Sequence, residues 1–196
     1  MVNGSKDIAT GRLRLRQFSK KDLDEYARIM GYDEVGKWFP KESGYTRQEA
    51  ERSLNSILEH WDKHGFGIWA IVGKDGILLG RCGLNLIAET SEVEVDFVVA
   101  PGFWRRGYAT EAAKAALTYG FEILKLEKII ALTKPENVAA RRVMEKTGMR
   151  YKKEAQYWSI TCAYYEISKA EHVSRQTSST LLPFDVMAAC ALRLSN

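Results

Sequence analysis

Between Phe97 and Ala112 the chain reads Phe-Val-Val-Ala-Pro-Gly-Phe-Trp-Arg-Arg-Gly-Tyr-Ala-Thr-Glu-Ala. An apolar, β-branched run passes into a short turn with two glycines and two arginines, and an alanine-rich helical segment starts at once. The first backbone N–H groups of a helix have no intrahelical partner. After a turn of this kind they converge on one spot, where the helix dipole also favours negative charge. A pyrophosphate suits such a spot. Gly107 lets phosphate oxygens approach the backbone where a Cβ would stand in the way, and Ala109 is small for the same reason. Arg105 and Arg106 add charge-assisted contacts to phosphate oxygens. The competing reading is an ordinary strand-to-helix entry. The stretch is not a P-loop, because no Gly-Lys-Ser/Thr follows, and it is not a dinucleotide fingerprint, because G-x-G-x-x-G is absent. Just upstream, Glu94 and Asp96 fall on one face of the same predicted strand, about 7 Å apart at strand rise. Each is a candidate proton acceptor, or else a solvent-facing or ion-paired acid.

The elements that hold these residues follow from periodicity. Leu13 and Leu15 alternate with Arg12, Arg14 and Arg16, as in a half-buried strand. Ser19-Lys20-Lys21-Asp22 reads as a cap for a helix over 23–30. Thr46-Arg47-Gln48-Glu49 matches a capping box, and its helix runs to about His64 with Ala50, Leu54, Ile57, Leu58 and Trp61 on one face. Strands are predicted at 68–72 and 77–86 around a Gly73-Lys74-Asp75-Gly76 hairpin turn, then at 92–99, 128–133, 149–152 and 163–167. Helices are predicted at 110–124 and 137–146, the second closed by Gly148. Early strands joined by hairpins and later ones joined through helices imply an α/β (α+β) domain with a mixed sheet covered by helices. Ser174–Thr180 reads as a linker, and 181–194 as an apolar tail.

At 196 residues, with 45% hydrophobic and 28% charged residues, the chain suits one globular domain. The net charge of +4 is scattered rather than gathered in a stripe, so no nucleic-acid partner is expected. No run approaches the roughly 20 apolar residues of a membrane span, and the first sixteen residues lack signal-peptide order. A cytoplasmic location is the expectation. Cys82, Cys162 and Cys190 are odd in number and far apart, which argues against a disulfide framework. His60 and His64 would share a helix face, but no third ligand is evident, so no metal site is expected.

Trp104-Arg105-Arg106-Gly107-Tyr108-Ala109-Thr110-Glu111-Ala112 resembles the Q/R-x-x-G-x-G/A turn of the GCN5-related N-acetyltransferases. It is most similar to the ribosomal-protein (RimJ/RimL-like) branch, where the phrase reads W-G-x-G-Y-A-T-E-A. Glu94–Pro101 resembles the E-I-G-Y-x-x-x-P strand, and Pro135–Met149 resembles P-x-N-x-x-S-x-x-V-x-E-K-x-G-F. Thr10–Arg16 is similar to T-x-R-L-x-L-R. These signatures lie in order across residues 8 to 170, leaving 171–196 as linker and tail.

The resemblance implies a sheet of about six to seven strands, splayed at its fourth strand near Val98 and Val99. It implies acetyl-CoA as cosubstrate, with the pantetheine arm on the backbone of Phe97, Val98 and Val99. The pyrophosphate would rest on the N–H groups of Trp104, Arg105, Arg106, Gly107, Tyr108 and Ala109, with Thr110 in the helical turn that follows. Asn137 would contact the pantetheine or order the site. Arg142 and Lys146 would neighbour the nucleotide or form a solvated face. The reaction would be direct transfer to an amine, with Glu94 or Asp96 as base, Glu94 favoured by the family match. The chain departs from the family at Ala140 and Met144, which stand where relatives carry a serine and a proton-donating tyrosine, and at Arg105, which replaces a turn glycine. Tyr108, Tyr164 and Tyr165 are the remaining hydroxyls, and a thiolate can also leave unaided. Aromatic segments 32–45 and 154–161 would shape the acceptor site. The expected acceptor is a protein N-terminal α-amine. The alternatives are a small amine, or an acyl-CoA-binding module without turnover. A monomer or a homodimer is expected.

Overall fold

Leu13 and Leu15 are buried while Arg12 and Arg14 are exposed, as the alternation requires. They form β2 (Leu13–Gln17), which pairs antiparallel with a two-residue strand, β1 (Ile8–Ala9). The computed structural model describes residues 6–180. After β2 come α1 (Leu23–Met30), the single turn α2 (Asp33–Gly36) and α3 (Arg47–His64). Then follow β3 (Ile68–Gly73), β4 (Leu78–Ile87), β5 (Glu92–Val99), α4 (Tyr108–Glu122) and β6 (Lys128–Thr133). The described chain closes with α5 (Val138–Lys146), β7 (Arg150–Tyr157), β8 (Ile160–Ser168) and α6 (Lys169–Thr180).

The strands form one sheet in the order β1-β2-β3-β4-β5-β6-β8-β7, antiparallel throughout except for the parallel β5–β6 pair. Its eight strands exceed the expected six to seven by β1, which is too short to show alternation. The fourth strand of the sequence reading is therefore β5. The last hairpin is longer than predicted: Trp158 and Ser159 join β7 to β8, both with left-handed φ (50° and 63°). Such a two-residue turn favours Asn-Gly, so Trp-Ser carried no turn signal. The polar run Ser174–Thr180, read as a linker, continues α6. The apolar tail beyond it lies outside the described residues.

α1 packs on β4, whereas α4 packs on β2, β4 and β5, and α5 on β6 and β7. The α3 capping box forms as expected: the Glu49 N–H donates to Thr46 Oγ1 at 3.3 Å, and the Thr46 N–H donates to Glu49 Oε2 at 2.7 Å. His60 hydrogen-bonds Phe66 O through Nδ1 (2.8 Å) and accepts the Leu86 N–H at Nε2 (3.1 Å). Its ring therefore joins α3 to β4 as a neutral imidazole, Nδ1 carrying the proton. Burial lowers its pKa, in keeping with that state.

Trp69 is fully buried at the centre of the core. Its ring meets Trp61 of α3 and Tyr119 of α4 edge-on, at 5.2 and 5.0 Å, and its indole N–H donates to Lys6 O at 3.0 Å. Trp69→Ala should lower the free energy of unfolding by about 3–5 kcal/mol in a urea titration. A loss below about 1 kcal/mol would show that the three elements are held by other contacts.

Candidate functional site

β5 and β6 share one register pair, Glu94 with Ile130, and a gap opens toward their C-terminal ends. The strands are parallel, so both ends, and the N-termini of α4 and α5 that follow them, lie at the same mouth. The Ala100 N–H donates to Leu79 O at 2.8 Å, which sets the phase of the β4–β5 ladder. Asp96 and Val98 bond across to Gly83 and Arg81, so Val98 turns its peptide groups away from the gap. Phe97 and Val99 turn theirs toward it. The Val99 carbonyl accepts the Trp104 indole N–H at 2.6 Å. What faces the gap is thus the Phe97 peptide N–H and C=O and the Val99 N–H.

The turn that follows begins as a 3-10 segment, Pro101–Phe103. The Trp104 N–H donates to Pro101 O at 3.1 Å, so it is not among the groups available to an anion. Those groups begin at Arg105. Arg105 and Gly107 are both left-handed, at φ 61° and 81°. A Cβ on Gly107 would meet nothing nearer than Arg12 Nη2 at 3.4 Å. Within the protein, backbone conformation rather than crowding therefore calls for glycine. The Glu111 N–H makes the first intrahelical bond, to Gly107 O at 3.0 Å. The N–H groups of Tyr108, Ala109 and Thr110 precede any helical acceptor and point out of the helix end. Arg105 and Arg106 are exposed beside them. Across the mouth Asn137 is buried and caps α5, its Oδ1 accepting the Ala140 N–H at 3.1 Å.

Glu94 and Asp96 sit on the sheet face opposite α4, and their surroundings differ. Asp96 lies 2.7 Å from Arg81 Nη2, and Arg81 Nη1 donates to the Tyr26 hydroxyl at 2.9 Å. Arg81 Nε is buried without a partner among the described residues. Glu94 is 8% exposed, and among the described residues its carboxylate accepts from Asn85 Nδ2 at 3.1 Å. Burial, reinforced by the charge of Asp96, pushes its carboxyl up to about 7, while Asn85 and Arg81 pull less strongly the other way. One carboxylate is therefore held as a counter-ion, and the other changes charge near neutral pH.

The two late-strand tyrosines are engaged elsewhere. Tyr164 donates to Glu92 at 2.7 Å, and Tyr165 donates to Glu145 at 3.2 Å and accepts from Arg141 at 3.0 Å. Met144 is buried in the core. Of the aromatic residues expected around an acceptor, Phe39 is a core plug against Tyr45 (4.7 Å), Tyr45 neighbours the Arg81–Asp96 pair, and Trp158 is exposed at the hairpin tip. The 32–45 loop is tied across the sheet by Lys134, which bonds Glu42 Oε1 at 2.6 Å and Lys37 O at 3.2 Å. Arg142 and Lys146 are exposed on α5.

Arg12, Glu111, Arg81 and Lys134 were assigned no role from the sequence. Arg12 donates to Arg106 O at 2.9 Å and to Glu111 Oε2 at 2.7 Å, so it joins β2 to the turn. Its sequence signals were its place in the Thr10–Arg16 phrase and in the strand alternation, and neither points to the turn. Arg81 and Lys134 find their partners across strands and loops, where no spacing rule reaches.

A family model for the acetyltransferase (GNAT) domain matches residues 12–150. YkkB, an uncharacterized protein of Bacillus subtilis (strain 168), is 32% identical over 171 residues, spanning 84% of this chain and 97% of its own. YnaD, an uncharacterized N-acetyltransferase of the same strain, is 32% identical over 143 residues, 73% of this chain and 82% of its own. A crystal structure of an acetyltransferase (GNAT family) from Bacillus anthracis superposes with a TM-score of 0.73 at 28% identity, covering 84% of this chain and 99% of that one.

Glu94 binds its proton more tightly folded than unfolded. Its raised pKa therefore favours the folded state at low pH, and that advantage is lost as pH rises from the ordinary carboxylate value of 4.5 to about 7. Glu94→Gln should thus be more stable than the wild type above pH 7, with the difference closing below about pH 4.5 in urea titrations. An equal offset at pH 4 and pH 8 would mean that Glu94 does not titrate in this window.

Proposed function

The chain belongs to the GNAT acetyltransferases, which draw their acetyl group from acetyl-CoA, and on that premise we propose that it acetylates a protein N-terminal α-amine with Glu94 as base. The observation that carries this reading is the buried Glu94 carboxyl at the paired position just before the strand gap, pushed up to about 7. A free α-ammonium has a pKa near 8, so passing its proton to Glu94 is uphill by roughly 1.4 kcal/mol. For an alkyl ammonium near 10.4 the same step costs roughly 4.6 kcal/mol. The difference between the two amines, roughly 3.2 kcal/mol, holds for any base, so an α-amine is the acceptor that costs less to deprotonate.

The remaining geometry fits the donor. The pantetheine arm lies along the gap-facing peptide groups of Phe97 and Val99. The pyrophosphate rests on the turn from Arg105 to Ala109, with the Arg105 and Arg106 side chains beside it. Glu94 takes the proton of the bound ammonium, the neutral amine attacks the thioester carbonyl, and as the C–S bond breaks the second nitrogen proton goes to the coenzyme A thiolate. With Ala140 and Met144 unable to donate, and Tyr164 and Tyr165 bonded elsewhere, Tyr108 in the turn is the remaining hydroxyl, and a thiolate can also leave without a dedicated acid. Asp96 stays bound to Arg81, sustaining the negative field that keeps the Glu94 pKa high.

On the acceptor side, the carboxylate–aromatic cluster of Glu92, Tyr157 and Tyr164 already holds Lys128, whose Nζ is 3.3 Å from Glu92 Oε1. It is filled from within, which disfavours a polyamine's second cation there. The tied loop over 32–45 forms the wall that a peptide terminus meets.

Calorimetry should show acetyl-CoA binding that Gly107→Glu abolishes, since bulk and negative charge enter the turn. The kcat/KM for an N-terminal peptide should rise with pH through about 7, because the ionised carboxylate is the active form. Glu94→Gln should remove that rise and lower kcat by about 100- to 10,000-fold. Faster turnover of spermidine than of any peptide would move the acceptor assignment to alkyl amines.

A further inference from the structure

The turn from Arg105 to Gly107 holds Arg105 in a backbone conformation that its side chain does not favour. Two of its three residues are left-handed, one of them an arginine, and all three are exposed. Such a conformation persists only where the surroundings over-determine it. On the strand side the Trp104 indole anchors the start of the turn to Val99 O. On the other side the support is Arg12. Its Nη1 donates to Arg106 O at 2.9 Å, and its guanidinium lies over the Tyr108 ring, 4.7 Å from the centroid.

Arg12 is itself fixed from below. Nε and Nη2 both reach Glu111 Oε2 at 2.7 Å, while Oε1 of the same carboxylate accepts the Arg12 N–H at 2.9 Å and the Thr10 hydroxyl at 2.6 Å. One residue in the first turn of α4 thus grips the start of β2, and the arginine gripped in this way reaches back over the turn. The planar guanidinium can bond a carboxylate on one side and a carbonyl with its other nitrogen; an ammonium has no such fork.

The consequence lies in one peptide plane. In a trans peptide the N–H points opposite to the C=O. With Arg106 O turned toward Arg12, the Gly107 N–H, next before the free N–H groups of the helix end, points away from Arg12. We propose that Arg12, locked by Glu111, is a positioning residue that holds the pyrophosphate turn in its acetyl-CoA-accepting form before the cosubstrate arrives. The proposal rests on the acetyl-CoA reading above, and it assigns Arg12 no contact with the cosubstrate. A preformed turn removes an ordering cost that would otherwise weaken binding.

The test compares two acetyl donors, acetyl-CoA and S-acetylpantetheine, which has the same thioester and arm without the pyrophosphate. In Arg12→Met, KM for acetyl-CoA should rise about 10- to 100-fold, with kcat at saturation within about threefold of wild type. The kcat/KM for S-acetylpantetheine should fall by less than about threefold. Arg12→Lys should fail to restore KM, because charge without the fork does not hold the plane. Glu111→Gln should also weaken acetyl-CoA binding, although it removes a negative charge near a polyanion. Equal losses with both donors would overturn the proposal and leave Arg12 a general stabiliser. Recovery in Arg12→Lys, or tighter binding in Glu111→Gln, would overturn it in favour of simple charge attraction. Calorimetry on the wild type keeps the two readings apart. If acetyl-CoA does not bind, both fall; if it binds and the variants match the wild type, only the role of Arg12 falls.

Discussion

Past the Glu94–Ile130 pair, β5 and β6 separate, and peptide groups of Phe97 and Val99 face a gap instead of a neighbouring strand. Unpaired backbone groups inside a protein are costly, so the opening persists only because the elements around it are fixed independently. A parallel pair cannot be closed by a hairpin and requires a crossover. Here the crossover is α4, whose N-terminus is delivered to the mouth of the gap. β6 in turn delivers α5 to the same mouth, with Asn137 as its cap. One parallel pairing in an otherwise antiparallel sheet therefore places strand backbone, two helix ends and a basic turn around one channel.

The electrostatics of the site depend on the same sheet. Arg81 of β4 lies beside Asp96 of β5 and is steadied by Tyr26 of α1, which also meets Ser53 of α3 at 2.8 Å. This arrangement pairs Asp96 with a cation and leaves Glu94 buried beside the Asn85 amide. A buried carboxyl with a nearby like charge opposes folding at neutral pH, and the Trp61–Trp69–Tyr119 stack is part of the packing that outweighs it. Glu94 is thus a strained ionisation held in place by a stable core, a common compromise at sites that move protons.

Much of the fold was legible because the signals were local. The Thr46–Glu49 capping box, the Gly73–Gly76 turn and the Leu13–Leu15 alternation each depend on neighbours a few residues away, and each formed as read. The failures have equally local causes. β1 is two residues long. The early residues of β7, Arg150 to Glu154, are all exposed on an edge strand, so no alternation marked its length. Trp158-Ser159 turns the chain with residues that do not usually accept positive φ.

The sequence by itself determined the family, through motif phrases whose spacing is set by one strand, one turn and one helix. It also marked where unpaired helix-end N–H groups gather, because helix ends expose them whatever surrounds them. It left two carboxylates on one strand face chemically alike. Only the tertiary structure told them apart, by setting Arg81 beside Asp96 and Asn85 beside Glu94 in the β4–β5 register. The same holds for Arg12, whose role comes from a carboxylate 99 residues away. Charge and hydrogen-bond partners act over a few ångströms of space, and the distance in space between two residues is not encoded in their distance along the chain.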